Sequence, residues 1–467
     1  MFFQNKKFQS KPDTMEVMVG VFLLLSSVAA QPAAPLVSAE ARARITLPLD
    51  SKGFSMVLSS QQPRLEDVAE PNLVGAFGVG FDTYNPKETD IFNANGNIYD
   101  RPQREVSLHW NGVELANKLS PVEIKSINPQ EFRVAVTSVL GGSNVSVFIG
   151  RTAVYDKHFV PFLKPLADAW HVAGAGGSVS AKAGRAAKVE QVKKVKVFED
   201  QLNDAGRHKF SQIVQLPSDV SKVGRIVATL KLGATPKGID PWDRYATLYL
   251  KDDAGQRFEV VRCITPYRKG WTWTTDVTHL LPLLQGSKEF TWECETWGEG
   301  WLISFDLDYF DGPLKLRPSE VKPLWQDSYE LGTGKPLPKP VTYSLGKVKK
   351  AEVFTIVTGH GMSPNSDNAA EFLPLWRKLM VNDKVYQNNL WKEDNYLNPC
   401  RPQGGTWKFD RAGWAPGSVV EPWRVDVTKD LTPSTKFGYE IQPYVNKTPA
   451  DGNPARHIID SVLVLFN

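Results

Sequence analysis

Residues 245–267 read YATLYLKDDAGQRFEVVRCITPY, two strand-forming runs joined by a turn at Asp252 to Gly255. The pattern recurs on both sides. Upstream, residues 104–115 read REVSLHWNGVEL, in which Val106, Leu108 and Trp110 share one face and Asn111-Gly112 supplies a hairpin turn. Downstream, residues 303–310 read ISFDLDYF and alternate Ile303, Phe305, Leu307 and Tyr309. Short strands at close spacing, with 35 Gly and 33 Pro to turn them and 14 Trp, 13 Tyr and 23 Phe to fill or cover them, predict an all-β protein.

The chain has 467 residues, ample for about three domains. Its hydrophobic content of 42% and charged content of 23% exclude wholesale disorder and a multi-span membrane protein. With 55 Lys+Arg against 51 Asp+Glu the net charge is +4 and no long basic run is present, which disfavours nucleic acid as a partner. At the N-terminus Lys6, Lys7 and Lys11 precede the apolar run Val17 to Leu25 and the small residues SSVAA before Gln31. This layout predicts a signal peptide over residues 1–30 and a secreted or periplasmic chain without membrane insertion after its removal. The three cysteines, Cys263, Cys294 and Cys400, are too few and too scattered to form a disulfide framework.

Residues 41–165 read as an accessory β-sandwich. The stretch VAGAGGSVSAKAGRAA at 172–187 has linker composition, so a flexible linker is expected over 166–194. A second block follows over 195–312, six prolines over 313–340 predict a stiff connector, and a third block occupies 341–467. The second and third blocks share an outline. WDRYA, TTDVTHLL around Asp276 and ISFDLDYF in one answer to FDRAGW, WRVDVTKDL around Asp426 and HIIDSVLVLF in the other. Two β-sandwiches of one type, jelly rolls, are expected.

No nucleophile elbow, P-loop, dinucleotide fingerprint or H-E-x-x-H motif is present, and the closest metal-capable pair, His360 with Met362, lacks further ligands. Neither cofactor nor metal is expected. Carboxylates among aromatics are the better signal. In TWECETWGEGW, Glu293 and Glu295 stand at strand period, roughly 7 Å apart on one face, with Trp297 next on that side. Asp243 lies between Trp242 and Arg244, and Glu371 follows a loop rich in Gly, Ser, Asn and Pro. Carboxyls whose pKa values are pushed apart can divide acid and base roles at neutral pH, and tryptophan faces suit the C–H surfaces of sugars. The same residues also fit solvated strand faces, structural ion pairs and core tryptophans.

Taken in order, PWDRYATLYL, RCITPY, ECETWGEGW, TGHGMSPNSDNAAEF and GTWKFDRAGWAPGS resemble the bacterial peptide-N-glycosidase F family over roughly residues 195–467. The resemblance implies two eight-stranded jelly rolls packed side by side with the active site between them. It also implies hydrolysis of the amide bond between Asn and the innermost N-acetylglucosamine of an N-glycan, which leaves Asp and a free glycosylamine. Carried over by motif, the essential acid falls on Asp243, with Glu295 and Glu371 beside it. Arg244, Trp242, Trp297, Arg411, Trp414 and His360 fall where the family lines or supports its cleft. N-glycosylated proteins or peptides are the implied partners, and the chain is expected to act as a monomer. The family's cysteines are absent at Ala369, Leu373 and Ala415, which leaves Cys400 without its partner. GVGFDTYNPKETD at 78–90 resembles the F-D-T-Y strand of legume-type lectins, so the N-terminal sandwich is expected to be concanavalin-like. There Asp82, Asn85 and Asp90 stand either as oxygen ligands for calcium or as a turn rich in Asx residues. A glycosidase using two of the carboxylates, or a non-catalytic glycan-binding protein, are the rival readings.

Overall fold

The computed structural model describes residues 38–467 except 85–90, 93–97, 100–103, 166–168, 176, 184–190, 332–336, 362–368 and 447–453. The expected signal peptide lies outside the described residues. Among the described residues the regular secondary structure is almost entirely antiparallel sheet, as the strand patterning predicts.

The first sandwich stacks two five-stranded sheets. Its centre is aromatic: Phe54 stacks on Phe81 at 4.6 Å, and Phe132 of the facing sheet meets both rings edge-on. The anticipated hairpin forms, Glu105–Trp110 pairing with Val113–Leu119, and Asn111 takes a positive φ in the turn. The expectation of a flexible linker over 166–194 needs correction. Ala169–Ala173 pairs with Gly53–Ser59, and Gly177–Ala183 pairs with Ser38–Leu47, each closing one sheet edge. Backbone pairing at an edge needs no large side chain, which is why the Gly/Ala/Ser composition of Gly177–Ala183 conceals it, whereas Ala169–Ala173 places Trp170 in the core.

The second sandwich has four strands in one sheet and five in the other, and the third has two sheets of four. Tyr245–Lys251 and Arg257–Ile264 pair as the opening stretch predicts, around a buried core that includes Leu248, Phe258, Phe290, Trp292, Trp301 and Phe305. The Pro-rich connector is also corrected, because Pro318–Tyr329 is a strand paired to Arg456–Phe466. It lies at the sheet edge, with its register shifting beside Pro318 and Pro323, the setting in which a strand tolerates residues that cannot donate to the ladder.

Among the contacts that join the second and third sandwiches are a shared sheet and a buried ion pair. Ser418–Val419 adds to the second sandwich's sheet by pairing with Cys263 and Ile264. Arg262 is wholly buried: it grips Glu259 through two bonds of 2.8 and 2.7 Å, and its third arm donates to Thr358 Oγ1 at 3.1 Å and to the Ile458 carbonyl at 2.8 Å. The three cysteines are free and buried.

Candidate active site

Asp243 lies on the loop that enters Tyr245–Lys251, and the loop is shaped by Asp240. The fully buried Asp240 carboxylate accepts the Trp242 N–H at 2.9 Å and the Thr296 hydroxyl, and stands 3.7 Å from Arg244 Nε. One carboxylate therefore ties the Trp242–Arg244 loop to the loop carrying Glu295 and Trp297. Trp242 and Trp297 stay 58% and 66% exposed, and the Arg244 guanidinium lies over the Trp297 ring at 4.9 Å. Large aromatic faces left open beside a carboxylate form a surface for a ligand with apolar C–H faces.

Glu371 reaches the same place from the third sandwich. It sits on the single helical turn Ala369–Phe372, whose backbone packs so closely on the strand Lys350–His360 that a Cβ on Gly359 would stand 1.7 Å from the Ala370 carbonyl. The Gly361 N–H, on a residue with φ of 104° that favours glycine, donates to Glu371 Oε2 at 3.3 Å. Arg411 is 1% exposed and joins the two carboxylates, with Nε 3.4 Å from Glu371 Oε1 and Nη2 4.0 Å from Asp243 Oδ2. Its remaining donors go to the Thr406 carbonyl (2.8 Å), the Thr406 hydroxyl (2.7 Å) and the Phe409 carbonyl (3.0 Å). Burial pushes the Glu371 carboxyl up; Arg411 opposes this and Asp243 adds to it, leaving the group at about 7. Tyr267 faces Asp243, and burial together with that charge pushes its phenol up to about 12, so it remains a hydrogen-bond donor at neutral pH. Its hydroxyl shares a 3.2 Å bond with Thr406 Oγ1.

The chain is 31% identical over 291 residues to peptide-N(4)-(N-acetyl-beta-D-glucosaminyl)asparagine amidase F of Elizabethkingia miricola, an alignment covering 57% of this chain and 79% of that one. The chain belongs to the peptide-N-glycosidase F family. The family model for the C-terminal part of peptide-N-glycosidase F matches residues 339–464. The structure of peptide-N-glycosidase F from Flavobacterium meningosepticum superposes with a TM-score of 0.54 at 27% identity, covering 59% of this chain and 96% of that one. The 2.2 Å crystal structure of the amidase matches equally, with a TM-score of 0.54 at 27% identity over 59% of this chain and 96% of the other.

Within this peptide-N-glycosidase F fold the residues singled out in the sequence divide into four sets. Asp243, Glu371 and Arg411 come together, and Trp242, Trp297 and Arg244 form the adjoining surface. Trp414 is buried and His360 is half-buried against it, in a supporting place beneath Arg411. Trp414 donates from its indole N–H to the Gly359 carbonyl at 2.7 Å and stacks on His360 at 5.3 Å, bracing the strand under Arg411. Glu295 and Glu293 do not share a strand face, because the strand Ser287–Cys294 ends between them. Glu293 is paired with Lys209 at 2.8 Å and Arg257 at 3.0 Å, whereas Glu295 is exposed on the following loop near Trp297. Sequence reading missed Asp240, Thr296, Tyr267 and Thr406; only Asp240, three residues before Asp243 on the same turn, carried a local signal. Asn85 and Asp90 of the calcium alternative lie outside the described residues, and burial lifts the Asp82 carboxyl to about 6.

Proposed function

We propose that this protein hydrolyses the amide bond between Asn and the innermost N-acetylglucosamine of N-linked glycans on proteins or peptides, releasing the glycan as a glycosylamine and leaving Asp. The observation that carries this reading is the pairing of Asp243 and Glu371, from two sandwiches, on the single buried guanidinium of Arg411, beside the open faces of Trp242 and Trp297. Membership of a family whose characterised relative is named for this reaction supports the same assignment.

In this reading the tryptophans and Arg244 receive the innermost sugars, and Glu295, at the rim, orients them. Asp243 is the principal catalytic carboxylate, acting on the Asn amide, and Tyr267 holds it in place. Glu371, close to half protonated near neutrality, holds the attacking water and exchanges a proton with it. The water oxygen adds to the amide carbon, the carbon–nitrogen bond breaks, and a proton passes to the departing nitrogen. Arg411 stabilises negative charge on either carboxylate and on the oxyanion between them.

The test is mass spectrometry of a denatured N-glycopeptide incubated with the mature chain in heavy-oxygen water, beside Asp243→Asn. The expected result is Asn converted to labelled Asp with release of the intact glycan, by the native chain alone. Trimmed sugars on an unchanged Asn would replace this reading with a glycosidase, and retention without conversion would make the protein a glycan binder.

A further inference from the structure

The loop 395–411 of the third sandwich touches both other sandwiches, and its contact with the first combines the apolar packing of Tyr396 and Leu397 on Leu119 with an ion-pair cluster. Arg401 enters a pocket walled by three glutamates of the N-terminal sandwich: Nη1 donates to Glu114 Oε1 at 2.6 Å, Nη2 to Glu70 Oε1 at 3.2 Å, and Glu105 Oε2 stands 3.8 Å away. The pocket is itself organised, with Asn117 donating to Glu105 at 2.9 Å and His109 Nε2 3.4 Å from Glu70 Oε2. From the second sandwich, Lys269 donates to the Cys400 and Arg401 carbonyls at 3.0 and 3.3 Å, and the Tyr267 N–H donates to Gln403 Oε1 at 3.1 Å. Five residues after Arg401, Thr406 holds Arg411 through its carbonyl and hydroxyl and shares a hydrogen bond with Tyr267. The same short stretch of backbone is thus anchored at one end in the N-terminal sandwich and at the other against both carboxylate-holding groups.

We propose that Arg401 is a positioning residue: by seating the loop in the glutamate pocket of the N-terminal sandwich, it fixes Thr406 and thereby holds Arg411 against Glu371 and Tyr267 against Asp243. The N-terminal sandwich is on this account a structural part of the active site. The inference rests on the proposed amidase reading for its consequence in turnover, but not for its geometry. A short segment pinned at both ends loses conformational freedom, and releasing one end returns it.

The experiment is hydrogen exchange followed by mass spectrometry on the full chain, comparing the native protein with Arg401→Met, Arg401→Lys and the double variant Glu70→Gln/Glu114→Gln, and monitoring peptides spanning 403–414. In Arg401→Met, exchange at Arg411 and Ala412, whose N–H groups donate to Lys392 and Glu371 carbonyls, should rise at least tenfold. Arg401→Lys should restore most of the protection. The glutamine pair, which alters charge without volume, should reproduce the loss from the other side of the contact and keeps the test decisive should Arg401→Met fail to fold. With glycopeptide substrate, kcat should fall at least fivefold in Arg401→Met while KM changes less than twofold. Unchanged exchange over 403–414 in either charge-removing variant would overturn the proposal, leaving Arg401 as interdomain adhesion only. Because exchange is read without substrate, absence of turnover in the native chain would refute the amidase reading and leave this result standing.

Discussion

Replacing Asp243 with Asn should change the titration of Glu371, and the size of the change follows from where the two carboxylates sit. They occupy two corners of one guanidinium, 4.0 Å from Arg411 Nη2 and 3.4 Å from Nε. A separation of about 8 Å between the charge centres, at an effective dielectric of about 20, corresponds to about 2 kcal/mol of repulsion, or roughly 1.5 pH units. Removing the Asp243 charge should therefore lower Glu371 from about 7 to about 5.5. Carbon-13 NMR titration of the side-chain carboxyls, with Glu371 assigned by loss of its signal in Glu371→Gln, reads this directly and needs no turnover. Stability reads it independently. A carboxyl whose pKa is raised on folding contributes stability that is fully present below the unfolded value of 4.5 and is lost as pH rises to the folded value. In the native chain that loss runs to about pH 7 and amounts to about 3 kcal/mol. In Asp243→Asn it should be complete by about pH 5.5, so the variant's unfolding free energy should flatten between pH 5.5 and 7 relative to the native chain. An unchanged or raised Glu371 titration in Asp243→Asn would mean that the two carboxylates do not share one electrostatic site.

Trp297→Ala should raise KM for glycopeptide about tenfold with kcat within about twofold, and Trp242→Ala should act likewise, since both exposed rings offer binding surface; a loss confined to kcat would place them elsewhere in the mechanism. Arg262→Met strands the buried Glu259 and removes the bonds to Thr358 and Ile458, so urea unfolding should show a loss of about 3–5 kcal/mol; a loss below about 1 kcal/mol would show that the ion pair does not hold the sandwiches together. Cys263, Cys294 and Cys400 are buried, with burial pushing the Cys400 thiol up to about 12, so a thiol reagent should label none of them until the chain unfolds. Stoichiometric labelling of the native protein would contradict the packing around them.

The strands of residues 245–267 and the hairpin at Asn111-Gly112 were legible because alternation and turn chemistry are local. The edge strands at 169–173, 177–183 and 318–329 were not, because their pairing depends on distant partners and they lie in or beside stretches of Gly/Ala/Ser-rich or Pro-rich composition. The candidate site divides in the same way. Asp243 stands beside Trp242 in the sequence, and Trp297 stands two residues after Glu295. The buried status of Trp414 and the roles of Asp240, Tyr267 and Thr406 are set by contacts across 55 to 139 residues of chain, which no window of sequence reports.

The strand Ser418–Val419 comes from the third sandwich but pairs in a sheet of the second. During synthesis, Cys263 and Ile264 lack this neighbour until about 150 further residues have been made. A fragment ending before residue 418 would present this stretch of sheet as an open edge, the kind of surface on which chains self-associate. The two sandwiches are therefore poor candidates for separate expression, and dissection of this protein is best done by substitution within the whole chain.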